Sequence, residues 1–210
     1  MSPPAAAPGP RCQPLLISPP RLEPAAFAPL LEAALATGGS AGFLLRLAPA
    51  ERLAVSAAAA RLRPLCAARQ VAFLLQDDVE LARELGADGV HLASAEEVPG
   101  ARRALGPDAI IGAASRDSRH VAMVAGDAGA DYIAFGAAGR PPDEALGELA
   151  QWWSELFVLP CLVEGDLTLA DGVALARRGA DLLGVQALIW QHPAGPARAL
   201  AELREALAAG

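Results

Sequence analysis

The sequence predicts a single (βα)8 barrel of the α/β class, the TIM-barrel fold, and two observations predict it. Short apolar, β-rich segments alternate with longer stretches rich in Ala, Leu, Arg and Glu along the chain, which is the pattern of parallel strands joined by covering helices. The length of 210 residues is close to the lower size of a complete eight-stranded α/β barrel, and it allows a core without disulfides or metals.

Eight strand–helix units follow one another. The strands are short apolar runs bounded by Gly, Pro, Asp or Ser, and each is followed by an Ala- and Leu-rich helical stretch. We expect strands at Gln13–Ser18, Gly42–Leu47, Val71–Asp77, Gly89–Ala93, Ala109–Ala114, Asp131–Gly136, Leu159–Gly165 and Leu182–Ala187. We expect helices at Pro24–Thr37, Ala50–Arg69, Asp78–Leu85, Ala95–Leu105, Asp117 to Gly126 or Ala128, Asp143–Leu156, Thr168–Arg178 and Pro196–Ala209.

A Gly-Ala-Asp repeat marks the helix-to-strand junctions. It occurs at Gly86-Ala87-Asp88, Gly129-Ala130-Asp131 and Gly179-Ala180-Asp181, where Gly ends a helix and Asp opens the next strand on the stability face of a barrel. A doubly wound sheet is the competing architecture. It would usually carry a Gly-rich turn after its first strand, and Ser18–Arg21 is instead rich in Pro.

The amino-terminal stretch and the charge balance limit the location and the partners. Residues 1–12 form a Pro/Ala-rich extension that is expected to be disordered, with the barrel domain at 13–210, and the stretch lacks the cationic and apolar regions of a signal peptide. No apolar run is long enough for a membrane span, so we expect a cytoplasmic protein without a membrane partner. The net charge of −7 and the lack of a basic cluster argue against nucleic-acid binding.

The absence of lysine restricts the chemistry. All 17 basic residues are Arg. A lysine Schiff base and a Walker A phosphate site are therefore excluded, because both need a lysine amine.

Polar residues at the carboxyl ends of the strands are the candidate site residues, since barrel enzymes place their chemistry there. Asp77 follows strand 3 and Glu96 follows strand 4, and hard carboxylate oxygens are ligands that Mg2+ prefers. The alternative is that Asp77 with its neighbour Asp78 caps a helix, and that Glu96 only favours a helix start. His91 on strand 4 is either a hydrogen-bonded core residue or a ligand contact.

The third and fourth units carry a family resemblance. The stretch from Asp77 to His91, which includes Leu85-Gly86-Ala87-Asp88-Gly89-Val90-His91, strongly resembles those units of thiamine phosphate synthase and of its relative, the thiazole tautomerase. Gly106–Gly112 and Gly129–Gly136 continue the match, which spans nearly the whole chain from Gln13. The resemblance implies a transferase of thiamine biosynthesis that joins a pyrimidine diphosphate to a thiazole phosphate with Mg2+ and displaces pyrophosphate.

Several site residues are implied by this resemblance. It implies that Arg46 meets the diphosphate, that Gln76 replaces a family Asn, and that Asp77 and Glu96 hold the metal ion. The strand-5 Ser of the family falls on Ala114, with Ser115 beside it.

The phosphate-binding end departs from the family pattern. Only Gly165 remains of the glycine pair after strand 7, because the other position is Asp166, and the Thr-x-Thr-Lys loop after strand 6 is missing. Whether Arg140 in the shortened loop replaces the lost lysine is open. A carboxylate beside a bound phosphate would cost a few kcal/mol, so we expect altered or lost activity.

Two classes of function therefore remain open. The chain is either a diverged synthase or tautomerase, or a non-catalytic barrel that binds a thiamine-related ligand or a protein partner. The substrate-binding candidates are Arg46, Gln76, His91, Ser115 and Gly165, and no catalytic residue is assigned. The expected ligand is a small phosphorylated molecule, and a homodimer is left open.

Overall fold

The computed structural model describes residues 12–48 and 50–209, and its eight parallel strands close into a barrel in chain order. The strands are β1 (Gln13–Ile17), β2 (Gly42–Leu45), β3 (Ala72–Gln76), β4 (Gly89–Leu92), β5 (Ile110–Arg116), β6 (Tyr132–Gly136), β7 (Cys161–Glu164) and β8 (Leu182–Val185). The barrel is confirmed, and the doubly wound alternative is wrong. The expected extension lies outside the described residues except for Cys12, which is buried.

Helices follow the strands around the outside of the barrel. They are α1 (Pro24–Ala36), α2 (Arg52–Ala67), α3 (Val79–Leu85), α4 (Val98–Leu105), α5 (Arg119–Asp127), α6 (Glu144–Leu156), α7 (Leu169–Arg177), α8 (Ala187–Trp190) and α9 (Pro196–Ala209). Within the described part of the chain, no helix has the length and apolar character that crossing a membrane would require.

Most element ends differ from the sequence prediction by one or two residues, and two of the differences change the type of structure. A 3-10 turn at Ala95–Glu97 precedes α4, where we expected continuous helix. The last predicted strand is shorter, because Ala187 begins the short helix α8 instead of ending β8. This helix is fixed by Trp190, whose indole Nε1 donates a hydrogen bond of 2.6 Å to the Ile17 carbonyl and whose ring packs edge-on against Phe27.

The core has two layers because successive strand side chains point alternately into the barrel and towards the helices. The larger layer lies between strands and helices. The inner layer fills the barrel itself and consists of Leu15, Ile17, Leu44, Leu74, Tyr132, Ala134 and Leu162. The barrel interior is therefore filled at the amino-terminal ends of the strands. The polar residues of the barrel lie at the carboxyl ends of the strands.

The Gly-Ala-Asp repeat joins neighbouring strands at the opposite end of the barrel. The carboxylate of Asp131 accepts a hydrogen bond of 2.7 Å from the Ile111 N–H on β5, while the Asp131 N–H donates to the Ile111 carbonyl. Asp88 and Asp181 make the same pair of bonds to β3 and β7. Each aspartate therefore satisfies an amide at the start of the preceding strand, and the predicted structural role is confirmed.

The first strand pair shows why the repeat is missing there. Ala41 stands at the Asp position before β2, and its N–H donates to the Pro14 carbonyl. Pro14 has no N–H, so a carboxylate at position 41 would have no amide to accept from.

Candidate active site

Three neighbouring side chains form a hydrogen-bonded row at the carboxyl ends of β2 and β3. The Arg46 guanidinium donates from Nε to Gln76 Oε1 at 2.8 Å, and Gln76 Nε2 donates to Asp77 Oδ2 at 2.8 Å. The backbone of Arg46 is held by the buried Ser18, whose hydroxyl donates to the Arg46 carbonyl and accepts from its N–H. The structure thus brings together three of the predicted site residues.

Asp77 and Asp78 have different roles. Asp78 caps α3, because its carboxylate accepts from the Leu81 N–H at 2.8 Å. Asp77 adopts a left-handed backbone conformation with φ of 58°, which aspartate tolerates better than most residues, and its Oδ1 accepts from the Ala93 N–H at 2.6 Å. The capping alternative therefore holds for Asp78, whereas the Asp77 carboxylate links the ends of β3 and β4.

Glu164 at the end of β7 reaches across the mouth to Arg46. Its Oε2 lies 2.5 Å from Arg46 Nη1 and its Oε1 lies 3.4 Å from Nη2. Glu164 is paired in register with Gly136 on β6 and Gly184 on β8, and a Cβ at Gly184 would lie 2.8 Å from the Glu164 Cβ. Glycine on both sides thus gives the glutamate room to point into the barrel.

His91 is the register partner of Gln76 on the neighbouring strand and is bonded to Tyr132. His91, Gly112 and Tyr132 are register partners on β4, β5 and β6, and the tyrosine ring occupies the space where a Cβ on Gly112 would be. The Tyr132 hydroxyl therefore passes over the glycine and lies 2.8 Å from His91 Nδ1. His91 is 1% exposed, and its Nε2 has no hydrogen-bond partner among the described residues.

Burial sets the protonation of this pair. Burial, together with a smaller effect of the Arg46 charge, lowers the pKa of His91 to about 3. Burial also raises the pKa of Tyr132 above its ordinary value. At neutral pH both groups are therefore uncharged.

Glu96 and Ser115 line a separate depression between β4 and β5, whereas Gln76 and Asp77 line one beside α2 and α3. Glu96 is exposed in the 3-10 turn. Ser115 is buried, and its hydroxyl donates to the Ala134 carbonyl at 3.0 Å. The structure therefore does not join these two residues to the Arg46 row, although Ala93 adjoins both depressions through its bond to Asp77.

The loops after β6 and β7 are bonded to each other. The Asp166 carboxylate accepts from the Gly139 N–H at 3.1 Å, and the Asp166 N–H donates to the Arg140 carbonyl at 2.8 Å. Gly165 lies so close that a Cβ there would be 2.8 Å from the same carbonyl. Asp166 thus uses a backbone donor that an anionic ligand would otherwise be free to use.

The donor set at the mouth fits a magnesium ion that arrives with a phosphorylated ligand. Among the described residues no group of three or more His, Cys, Asp or Glu side chains could hold a metal ion. Mg2+ is usually bound by one or two carboxylates together with substrate phosphates and water. The Asp77 carboxylate accepts one hydrogen bond at each oxygen, and an ionised carboxylate has about four acceptor sites, so capacity for a cation remains.

The same barrel and much of the same sequence occur in known proteins. A family model described as thiamine monophosphate synthase matches residues 15–189. The chain belongs to this family. It is 45% identical over 203 residues to a thiamine-phosphate synthase of Rhodospirillum centenum, which covers 93% of this chain and 98% of that protein. It is 41% identical over 208 residues to that of Hyphomonas neptunium, with 93% of each covered.

A solved structure agrees with this family assignment. The thiamine phosphate pyrophosphorylase from Pyrococcus furiosus superposes with a TM-score of 0.79 at 25% identity, over 94% of this chain and 96% of that one. The resemblance identified from the sequence is thereby confirmed, and the chain is a thiamine-phosphate-synthase-like protein of thiamine biosynthesis. The expected alteration or loss of activity stays a prediction.

Sequence reasoning missed the partners of two predicted residues. The sequence did not identify Glu164 as the partner of Arg46, or Tyr132 as the partner of His91. The available signals were a charged residue closing an apolar strand and the sole tyrosine of the chain. Neither signal identifies Arg46 or His91 as the partner.

Proposed function

We propose that the chain is a transferase that joins a pyrimidine diphosphate to a thiazole phosphate and releases pyrophosphate. The observation that carries this proposal is the hydrogen-bonded row of Arg46, Gln76 and Asp77 at the carboxyl ends of β2 and β3. A diphosphate needs a fixed cation and hard oxygen ligands for its metal ion, and this row offers both side by side.

Each residue has a distinct task in this proposal. Arg46 donates N–H groups to the diphosphate oxygens and stabilises charge on the departing pyrophosphate. Gln76 fixes the guanidinium plane through its bond to Nε. Asp77, with Glu96 as the second candidate ligand, holds Mg2+, which when bound neutralises negative charge on the diphosphate.

His91, Ser115 and Gly165 are proposed to contact substrate. Through its unpartnered Nε2, the neutral imidazole of His91 can form a hydrogen bond with the ligand. A pKa of about 3 makes this residue a weak base at neutral pH, which favours a binding role over proton abstraction and so disfavours the tautomerase alternative.

A second candidate, a barrel that binds a thiamine-related ligand without turnover, is favoured by one observation. The bond from the Gly139 N–H to the Asp166 carboxylate places negative charge at the loops where the resemblance implies a phosphate. Like charge beside a bound phosphate is unfavourable, so we expect weaker binding of the thiazole phosphate than in relatives with glycine there.

Complementation separates the two candidates. The chain, Arg46→Ala and Asp166→Gly are expressed in a thiamine-auxotrophic bacterium that lacks its own synthase. We expect growth with the unchanged chain, faster growth with Asp166→Gly, and none with Arg46→Ala. Failure of the unchanged chain and of Asp166→Gly, with both proteins present in the cells, would support the non-catalytic candidate and contradict the transferase.

A further inference from the structure

The arginine that is proposed to bind the diphosphate already holds an internal anion. Three of the N–H groups of Arg46 are used, one by Gln76 and two by Glu164. The pair is largely shielded from water, because the side chains of Arg46 and Glu164 are 18% and 7% exposed. An external anion therefore meets a guanidinium whose charge is compensated.

The backbone of Glu164 is closely packed between the neighbouring strands. Its strand neighbours Gly136 and Gly184 leave no space for side chains of their own, since a Cβ at Gly136 would lie 2.1 Å from the Glu164 carbonyl oxygen. The carboxylate contacts Arg46 with one short and one long distance, 2.5 and 3.4 Å. The bond at Arg46 Nη2 is therefore the weaker one, and an incoming anion can approach this nitrogen first.

There is space into which the carboxylate can withdraw. Glu164 also lines a cavity of about 100 Å³, and its wall includes Arg116 and Arg140 as well as Asp117 and Asp143. Such a volume is several times what one water molecule needs. If the Glu164 side chain rotates away from Arg46 into this cavity, it leaves one arginine and enters a space lined by two others, Arg116 and Arg140.

We infer that Glu164 is an internal competitor of the anionic ligand: it occupies the anion-binding edge of Arg46 until a diphosphate displaces it, and so sets how tightly the mouth binds phosphorylated molecules. This inference rests on the proposed function of Arg46. Glu164 therefore determines ligand affinity, because the ligand must break the ion pair with Arg46 before it binds. Only ligands that bind Arg46 strongly can do so.

Calorimetric titration of the full chain with inorganic pyrophosphate and Mg2+ tests this. We expect Glu164→Gln to bind pyrophosphate about tenfold more tightly than the unchanged chain, a difference of about 1.4 kcal/mol. Glu164→Asp, whose shorter side chain retains the charge but retreats from Arg46, should lie between the two. The matched control is Glu202→Gln, which removes the same charge from the Arg198 pair on α9 and should leave pyrophosphate affinity unchanged.

The outcomes separate this inference from the function on which it rests. If Arg46→Ala loses pyrophosphate binding while Glu164→Gln binds no more tightly than the unchanged chain, the competitor role is wrong and the anion site stands. If Arg46→Ala binds pyrophosphate like the unchanged chain, both are wrong. Should Glu164→Gln fail to fold, judged by circular dichroism, Glu164→Asp decides: affinity equal to or below that of the unchanged chain overturns the inference.

Discussion

The buried histidine of the barrel predicts a specific loss of stability in acid. The pKa of His91 is lowered by burial from 6.5 to about 3. Between these values the unfolded chain binds a proton at this position that the folded chain does not, so stability is complete above pH 6.5 and falls as the pH is lowered. At about 1.4 kcal/mol per pKa unit, lowering the pH from 7 to 5 removes about 2 kcal/mol through His91 alone.

Urea unfolding at pH 7, 6 and 5 measures this contribution. The free energy of unfolding of the unchanged chain should fall by about 2 kcal/mol more over this range than that of His91→Gln, which has no titrating imidazole. Carboxylates elsewhere contribute equally to both proteins and cancel in the difference. Tyr132→Phe is the matched control, because it removes the bond to Nδ1 but leaves the imidazole buried.

The two variants distinguish burial from hydrogen bonding as the cause. Tyr132→Phe should be less stable at every pH, by about 1–3 kcal/mol for an unsatisfied buried group, and should keep the pH dependence of the unchanged chain. The reasoning is refuted if His91→Gln loses stability between pH 7 and pH 5 as steeply as the unchanged chain does.

Three further predictions concern the junctions and the mouth. Asp131→Ala should lower the free energy of unfolding by about 1–3 kcal/mol, because a buried N–H of β5 loses its acceptor. Ala41→Asp should not raise the free energy of unfolding, and a higher urea midpoint for this variant would contradict the role given to the repeat. Gly136→Ala should destabilise by more than about 2 kcal/mol, since φ is 84° and the new Cβ would lie 2.1 Å from a β7 carbonyl oxygen; an unchanged melting temperature would show that the backbone there adapts. Asp78→Ala should lower stability by about 1 kcal/mol, because a helix cap is lost, and should keep the thermal shift caused by Mg2+ with pyrophosphate. Asp77→Ala should lose that shift. If both variants keep the shift, Asp77 does not belong to the metal site.

The scaffold could be predicted from the sequence because its determinants are local. The apolar runs, the helix-ending glycines and the Asp that opens a strand lie next to one another in the chain, so the repeat at Asp88, Asp131 and Asp181 marks three junctions directly. The short helix α8 was missed because it depends on a distant contact. Trp190 donates to the carbonyl of Ile17, and no neighbouring residue signals that bond.

The candidate site could be predicted only in part for the same reason. Arg46, Gln76 and Asp77 lie at the ends of adjacent strands, so closing the barrel brings them together. The pairing of Arg46 with Glu164 joins positions 118 residues apart and depends on the glycines at both sides of β7. The hydrogen bond between His91 and Tyr132 likewise requires Gly112 on the strand between them, a condition that appears only once the strand register is known.

Product formation by the purified chain tests the central claim most directly. The chain is incubated with the pyrimidine diphosphate, the thiazole phosphate and Mg2+, and thiamine phosphate and pyrophosphate are quantified by mass spectrometry. We predict that both products form in equal amounts, and that Arg46→Ala forms neither. If the chain binds pyrophosphate but forms neither product, the transferase proposal is wrong and the non-catalytic, ligand-binding barrel is supported.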